Sequence, residues 1–265
     1  MRYEALTGLR CEQLHELSVR VLERAGDVVR PGGRPAGIGL FRSVALVVTL
    51  MRTNITQEAA GAIFGVSQAT VSRRWDLLRP LIGQVLAALV PHPAEIAGTG
   101  TLLVDGTVCP VWDWAAIPGL FSGKAGYAGM NVQIAATLAG GLAAVGPVPV
   151  PGARHDAYAF AASGLKDLIA GMDAAADLGY TGVDGIAIVP FRTPPGGQLH
   201  ESQADFNVGL SKIRAAVERA VAHLKTWRIL SEEGGRFRPP LAKFESTLTA
   251  ITGLLFFSSY CKGFG

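Results

Sequence analysis

The sequence predicts an α/β protein: an all-α segment of about ninety residues, followed by a mixed sheet with flanking helices. Three observations lead there. Residues 1–92 carry apolar positions at helical spacing and no strand-like run. PHPAEIAGTG, residues 91–100, is a proline- and glycine-bearing break between two textures. Beyond it, short apolar runs come first and longer helical patterns follow, an order that suits a sheet covered by helices. The expected domains are therefore 1–92 and 99–265. At 265 residues with 49% hydrophobic and 17% charged residues, the chain can bury a large core and is excluded from the disordered class.

In chain order, Leu14, Leu17 and Val21 mark a first helix. RPGGRPAG (30–37) ends it before a second apolar run from Ile38 to Met51. The segment 54–82, NITQEAAGAIFGVSQATVSRRWDLLRPLI, has the punctuation of a helix-turn-helix. Gly61 is small where two helices approach, Gly65 can take the positive φ that ends a helix, and Ser67 is placed to cap the next one. Val71 then turns inward. The second helix presents Gln68, Thr70, Arg73 and Arg74 for contact with bases or phosphates. The alternative is an ordinary helical hairpin with a polar face. Charge favours the former: residues 1–98 hold 11 Lys/Arg against 8 Asp/Glu, whereas residues 99–265 hold 13 of each.

In the second half, strands are expected at 101–105, 131–139, 142–148 and 185–191, and helices at 157–170, 203–230 and 243–260. No charge occurs from Ala125 to Ala153. The glycines and prolines in that stretch argue against a membrane span and for two buried strands joined at Gly140-Gly141. The C-terminal run LTAITGLLFFSSY reads as a core helix, too short to span. No signal-peptide pattern opens the chain, and three dispersed cysteines (Cys11, Cys109, Cys261) form no disulfide framework. A cytoplasmic, nucleoid-associated protein is the expectation.

Candidate chemistry lies in three spread acids. Asp105 ends the apolar run LLVD, and Asp177 ends AAAD before a Gly-Tyr turn. Two acids presented from strand ends at one sheet edge suit a divalent cation. On a helical wheel drawn from Arg214 at 100° per residue, Lys225, Glu218 and Arg228 fall at about 20°, 40° and −40°. They border the apolar arc of Leu210, Ile213, Val217, Val221 and Leu224. One acid and three cations thus share a stripe where an acid can hold metal and cations can hold phosphates. Each acid taken singly also fits a capping or surface role.

LLVDGT, FSGK, PGARHD, DLGYTG and IRAAVERAVAHLKTWRIL, in this order, resemble the DDE transposases of bacterial insertion sequences. Arg214, Glu218 and Lys225 fit that family's arginine–glutamate–lysine signature. The resemblance covers essentially the whole chain. It implies a ribonuclease H-like catalytic domain that uses Mg2+ (Mn2+ can substitute), with Asp105, Asp177 and Glu218 as catalytic metal ligands. It further implies double-stranded DNA as partner, both element terminal repeats and target, bound by a homodimer. Arg214 and Lys225 would contact the DNA phosphates near the cut; from the residues themselves, Arg228 shares their stripe, and Lys124 is either a further DNA contact or a solvated loop lysine. Ser211, Leu178 and Ala125-Gly126-Tyr127 depart from the family pattern; none removes a metal ligand, and all would weaken the grip on DNA. Two alternatives follow: a DNA-binding relic or repressor with an inactive nuclease domain, or a metal-dependent nuclease without strand transfer.

Other signals carry less. GLFSGKA (119–125) has the wrong glycine spacing and Ala125 in place of a hydroxyl residue, so no nucleotide cofactor is expected. Asp156 is expected to cap the helix near Ala157. Trp112, Trp114 and Phe121 are expected to pack in the core rather than stack on bases.

Overall fold

The computed structural model describes residues 3–25, 37–112 and 117–260. They divide into two compact units, residues 1–90 with 225–265, and residues 91–224. Trp114, Cys261 and most of the 30–37 break lie outside the described residues.

The first unit is helical. It contains α1 (Tyr3–Thr7), α2 (Cys11–Ala25), α3 (Leu40–Thr53), α4 (Gln57–Phe64) and α5 (Gln68–Leu86). Leu14, Leu17 and Val21 of α2 are fully buried, as their spacing requires. Gly65 ends α4 at φ 68°, where a side chain would be strained. Ser67 caps α5, its side chain accepting from the Thr70 N–H at 3.3 Å. Val71 is buried, and a Cβ on Gly61 would lie 2.6 Å from the Val66 carbonyl. The two helices can therefore meet only with glycine at 61.

The closing helix of this unit comes from the far end of the chain. Residues 225–260, grouped by the sequence with the second half, pack here instead. α10 (Phe244–Tyr260), the last of the helices (α6–α9 lie in the second unit), crosses α5 so closely that a Cβ on Gly253 would sit 2.6 Å from the Leu86 Cβ. It buries Phe244, Leu248, Ile251, Leu254 and Phe257, a core helix as read.

The second unit opens on α6 (Pro93–Ala97) and holds a mixed sheet. β1 (Leu102–Pro110) pairs antiparallel with β3 (Tyr127–Thr137) and parallel with the short β6 (Ala174–Ala175). β2 (Phe121–Ser122), β4 (Leu142–Val145) and β5 (Val150–Pro151) also pair with β3. The uncharged stretch is thus the β3–β4 pair, turned by Gly140 at φ 89°. One face of the sheet packs Leu102, Val104, Ala135 and Ala144 against Phe160, Leu165, Ile169 and Tyr180. The first two of these belong to α7 (Asp156–Ala162) and α8 (Leu165–Leu168), and α9 (Glu201–Lys225) follows.

Four expectations are corrected. β1 runs past Asp105, which lies within the strand rather than at its end. The helix expected at 157–170 is broken at Gly164, φ 76°, into α7 and α8. Residues 185–191 form no strand; Gly185 at φ 92° and Pro190 leave one bridge, Ala175 to Ile188. The helix expected to reach Leu230 ends at Lys225, so Arg228 sits in a separate 3₁₀ turn, 228–230, off the stripe of Arg214. Among the described residues no helix is long and apolar enough to cross a membrane.

Candidate active site

Asp105 and Asp177 are brought together by the parallel pairing of β1 and β6. Leu102 pairs with Ala174 and Leu103 with Ala175, and the same offset two residues on sets Asp105 against Asp177. Asp177 is extended (φ −83°, ψ −179°) and caps the 3₁₀ turn 178–180, accepting from the Gly179 N–H at 2.8 Å. Burial pushes the Asp105 pKa up to about 6. Arg214 and the Gly106 N–H oppose that rise, while Asp177 and Asp156 add to it. Such a carboxylate lacks sufficient positive charge around it.

Arg214 of α9 answers part of that need. Its Nη2 lies 3.9 Å from Asp177 Oδ2, and the side chain is only 20% exposed. Among the described residues its buried Nε has no hydrogen-bond partner. The residue expected to meet DNA is therefore turned onto the carboxylates.

The third acid beside Asp105 and Asp177 is Asp156. It does not cap α7; His155 does, its Nδ1 accepting from the Tyr158 N–H at 3.1 Å. Asp156, first residue of the helix, instead accepts from Asn131 Nδ2 at 2.9 Å and lies 3.4 Å from Lys124 Nζ. Gln133 donates to Asn131 and accepts from the buried Tyr180 hydroxyl at 2.7 Å. Burial foremost, then the three aspartates, raises the Tyr180 pKa far above its ordinary value, so the hydroxyl stays a donor. Asn131 and Gln133 face the sheet's other polar groups because they alternate with Val132 and Ile134 along β3. At Gly106 a Cβ would overlap Gln133 and Asp156, so glycine is required for this approach. The polar pair on an otherwise apolar strand was the available sequence signal for this network, and the capping reading of Asp156 passed over it.

A cleft of about 610 Å³ opens over these groups, lined by Gly106, Ser122, Lys124, Asn131, Arg154, Asp156 and Asp177 among others. Burial pulls the Lys124 pKa down, but the charges of Asp156, Asp177 and Asp105 outweigh it and hold the pKa above its ordinary value.

Glu218 lies on α9 one turn beyond Arg214 and is exposed. Among the described residues no three histidine, cysteine or carboxylate side chains converge tightly enough to hold a metal ion. The donor set at Asp105 and Asp177 still suits a hard divalent cation: two carboxylate groups, Asp105 short of positive charge and Asp177 lining the open cleft. Lys225 ends α9 half-buried, and Arg228 is exposed. In the helical unit, Gln68 and Arg73 are exposed; Gln68 donates to Gln57 at 2.6 Å, and Arg73 reaches Thr70 at 3.4 Å. Thr70 and Arg74 are half-buried. Trp112 and Phe121 stand 64% and 62% exposed, contrary to the expected core packing.

With Asp105 within β1 and Asp177 just past the end of the parallel strand β6, the chain brings two carboxylates together. It belongs to the DDE superfamily endonucleases, whose family pattern matches residues 104–255. It is 32% identical over 228 residues to a Streptomyces albus G protein described as a transposase for insertion sequence element IS112, spanning 85% of this chain and 84% of the relative. A Microchaete diplosiphon protein, described as a transposase for insertion sequence element IS702, is 25% identical over 247 residues, 86% of this chain and 87% of that one.

Proposed function

We propose that the chain is a transposase that cuts and rejoins double-stranded DNA by phosphoryl transfer in the cleft at Asp105 and Asp177. The pairing of a charge-starved, half-buried aspartate with a second aspartate just past the neighbouring strand carries this reading, since a carboxylate so placed calls for a cation. Asp105, Asp177 and Glu218 would hold Mg2+ or Mn2+ in a ribonuclease H-like domain. Bound there, the ions supply charge neutralisation at the scissile phosphate and polarise the attacking oxygen. Arg214 neutralises Asp177 and keeps Asp105 ionisable. The cleft's Lys124 and Arg154 hold the phosphate backbone, and Lys225 and Arg228 make DNA contacts of their own. In the helical unit, α4, its turn and α5 act as a DNA-binding helix-turn-helix, with Gln68, Thr70, Arg73 and Arg74 reading the element's ends as a homodimer pairs them.

Asp105→Asn, Asp177→Asn or Glu218→Gln is expected to lower Mg2+-dependent cleavage of an end-bearing duplex by about a thousandfold or more, on the scale of losing a catalytic charge group. Duplex binding in EDTA should change less than about twofold, because phosphate contacts dominate affinity. Equal loss of binding and cleavage refutes the assignment. The exposure of Glu218 favours one second reading, a DNA-binding protein whose nuclease does not assemble. Such a protein binds DNA but never nicks it, whichever divalent ion is supplied. Product analysis distinguishes strand transfer from simple cutting.

A further inference from the structure

We propose that Asp156 is a positioning residue: it parks the Lys124 ammonium beside Asp105 and Asp177 while no divalent ion is bound, and yields it to a DNA phosphate when one arrives. This rests on the reading of those two aspartates as ion ligands.

The two ends of the Asp156 carboxylate are unequally committed. Oδ1 accepts from Asn131 at 2.9 Å and from Gln133 Nε2 at 3.5 Å, and Tyr180 holds Gln133 in turn. Oδ2 faces Lys124 at 3.4 Å. The carboxylate is thus fixed by the sheet while its partner is not. Lys124 is 76% exposed and rides a turn between Gly123 and Gly126, the latter at φ 78°. An ion pair so exposed is weak, so little holds the ammonium once the local field changes. Arg214 differs: mostly buried against Asp177, it has nowhere to go.

The field does change. Three carboxylates (Asp105, Asp156, Asp177) act on Lys124, and Arg214 offsets one of them. Together these groups present about two net negative charges to the ammonium, and a divalent ion cancels them, so the attraction that holds Lys124 is lost. Lys124 then swings, on its glycine-flanked turn, towards the phosphate that the cleft admits. The device keeps the phosphate contact in step with ion occupancy.

Mn2+ binding to the full chain, read by loss of its free-ion electron paramagnetic signal, and binding of a generic duplex with Ca2+ or with EDTA test this. Lys124→Met should tighten Mn2+ about three- to tenfold by removing the competing charge. Arg154→Gln removes an equal charge from the same cleft, but one stacked on Tyr158 at 4.9 Å, and should leave Mn2+ affinity unchanged. In Ca2+, Lys124→Met should flatten the dependence of log affinity on log salt by about one unit, and in EDTA by nothing. Asp156→Asn, which keeps the Asn131 acceptor and loses the charge, should steepen the EDTA slope by about one unit, a gain that mere misfolding does not produce. Equal flattening by Lys124→Met in both conditions, or Mn2+ affinity indifferent to Lys124, overturns the latch alone. Absence of Mn2+ binding by the unaltered chain overturns the ion reading and the latch with it.

Discussion

Asp105 sits in the middle of a strand whose neighbours Val104 and Leu103 are fully buried, and its charge is tolerated rather than welcomed. Because its folded pKa is raised to about 6, above the ordinary 3.8, the cost appears as pH rises. Below about pH 4 the group is protonated in folded and unfolded chain alike and contributes nothing. Between about 4 and 6 the unfolded chain ionises first, and stability falls; above 6 the full penalty is present. In EDTA, Asp105→Asn should therefore match the unaltered chain at pH 4 and exceed it at pH 7 by about 2–3 kcal/mol at most, measured by urea unfolding at both pH values. A variant that is more stable and inactive is the signature of a residue kept for chemistry. Equal stability at pH 7 would mean that Asp105 is already compensated.

At the scale of elements, glycines mark where backbones must touch. In α10, Gly253→Ala brings a Cβ within 2.6 Å of Leu86, so the overlap should outweigh the helix-propensity gain of about 1 kcal/mol and lower stability by about 1–2 kcal/mol. Gly209→Ala in α9 meets nothing within 4 Å and should raise it by up to about 1 kcal/mol. Thermal melts of the two variants moving in the same direction would refute the close crossing. Ser67→Ala removes the cap of α5 and should cost about 1 kcal/mol. It should weaken duplex binding by gel shift while leaving metal binding at the aspartates intact.

At the scale of the whole molecule, the helical unit is made of both ends of the chain. α5 lacks its covering without α10, so a chain ending at Leu224 should lose the cooperative unfolding transition of that unit and its duplex binding together. Circular dichroism and limited proteolysis check this; a truncated chain that keeps an intact 1–90 core would contradict it. The two activities proposed here thus depend on different parts of the sequence, with the C-terminal helix serving the helical unit rather than the sheet to which sequence order assigned it.

Local rules made much of this legible. Gly61, Gly65, Ser67 and Val71 declared their turn because φ, capping and inward spacing are properties of a few adjacent residues. The uncharged stretch declared two strands through its breakers, and Asp105 and Asp177 declared themselves as acids in apolar runs. Only tertiary structure decided the rest. That Asp156 meets them depends on β3 carrying Asn131 and Gln133 beneath α7, a contact across more than twenty residues that no periodicity encodes. That Arg214, rather than Glu218, lies on Asp177 depends on how α9 is rotated against the site, and both residues occupy neighbouring arcs of the same wheel. Where α10 docks was equally silent, since an apolar helix states only that it must be buried, and the cover it finds is set by whichever surface fits it.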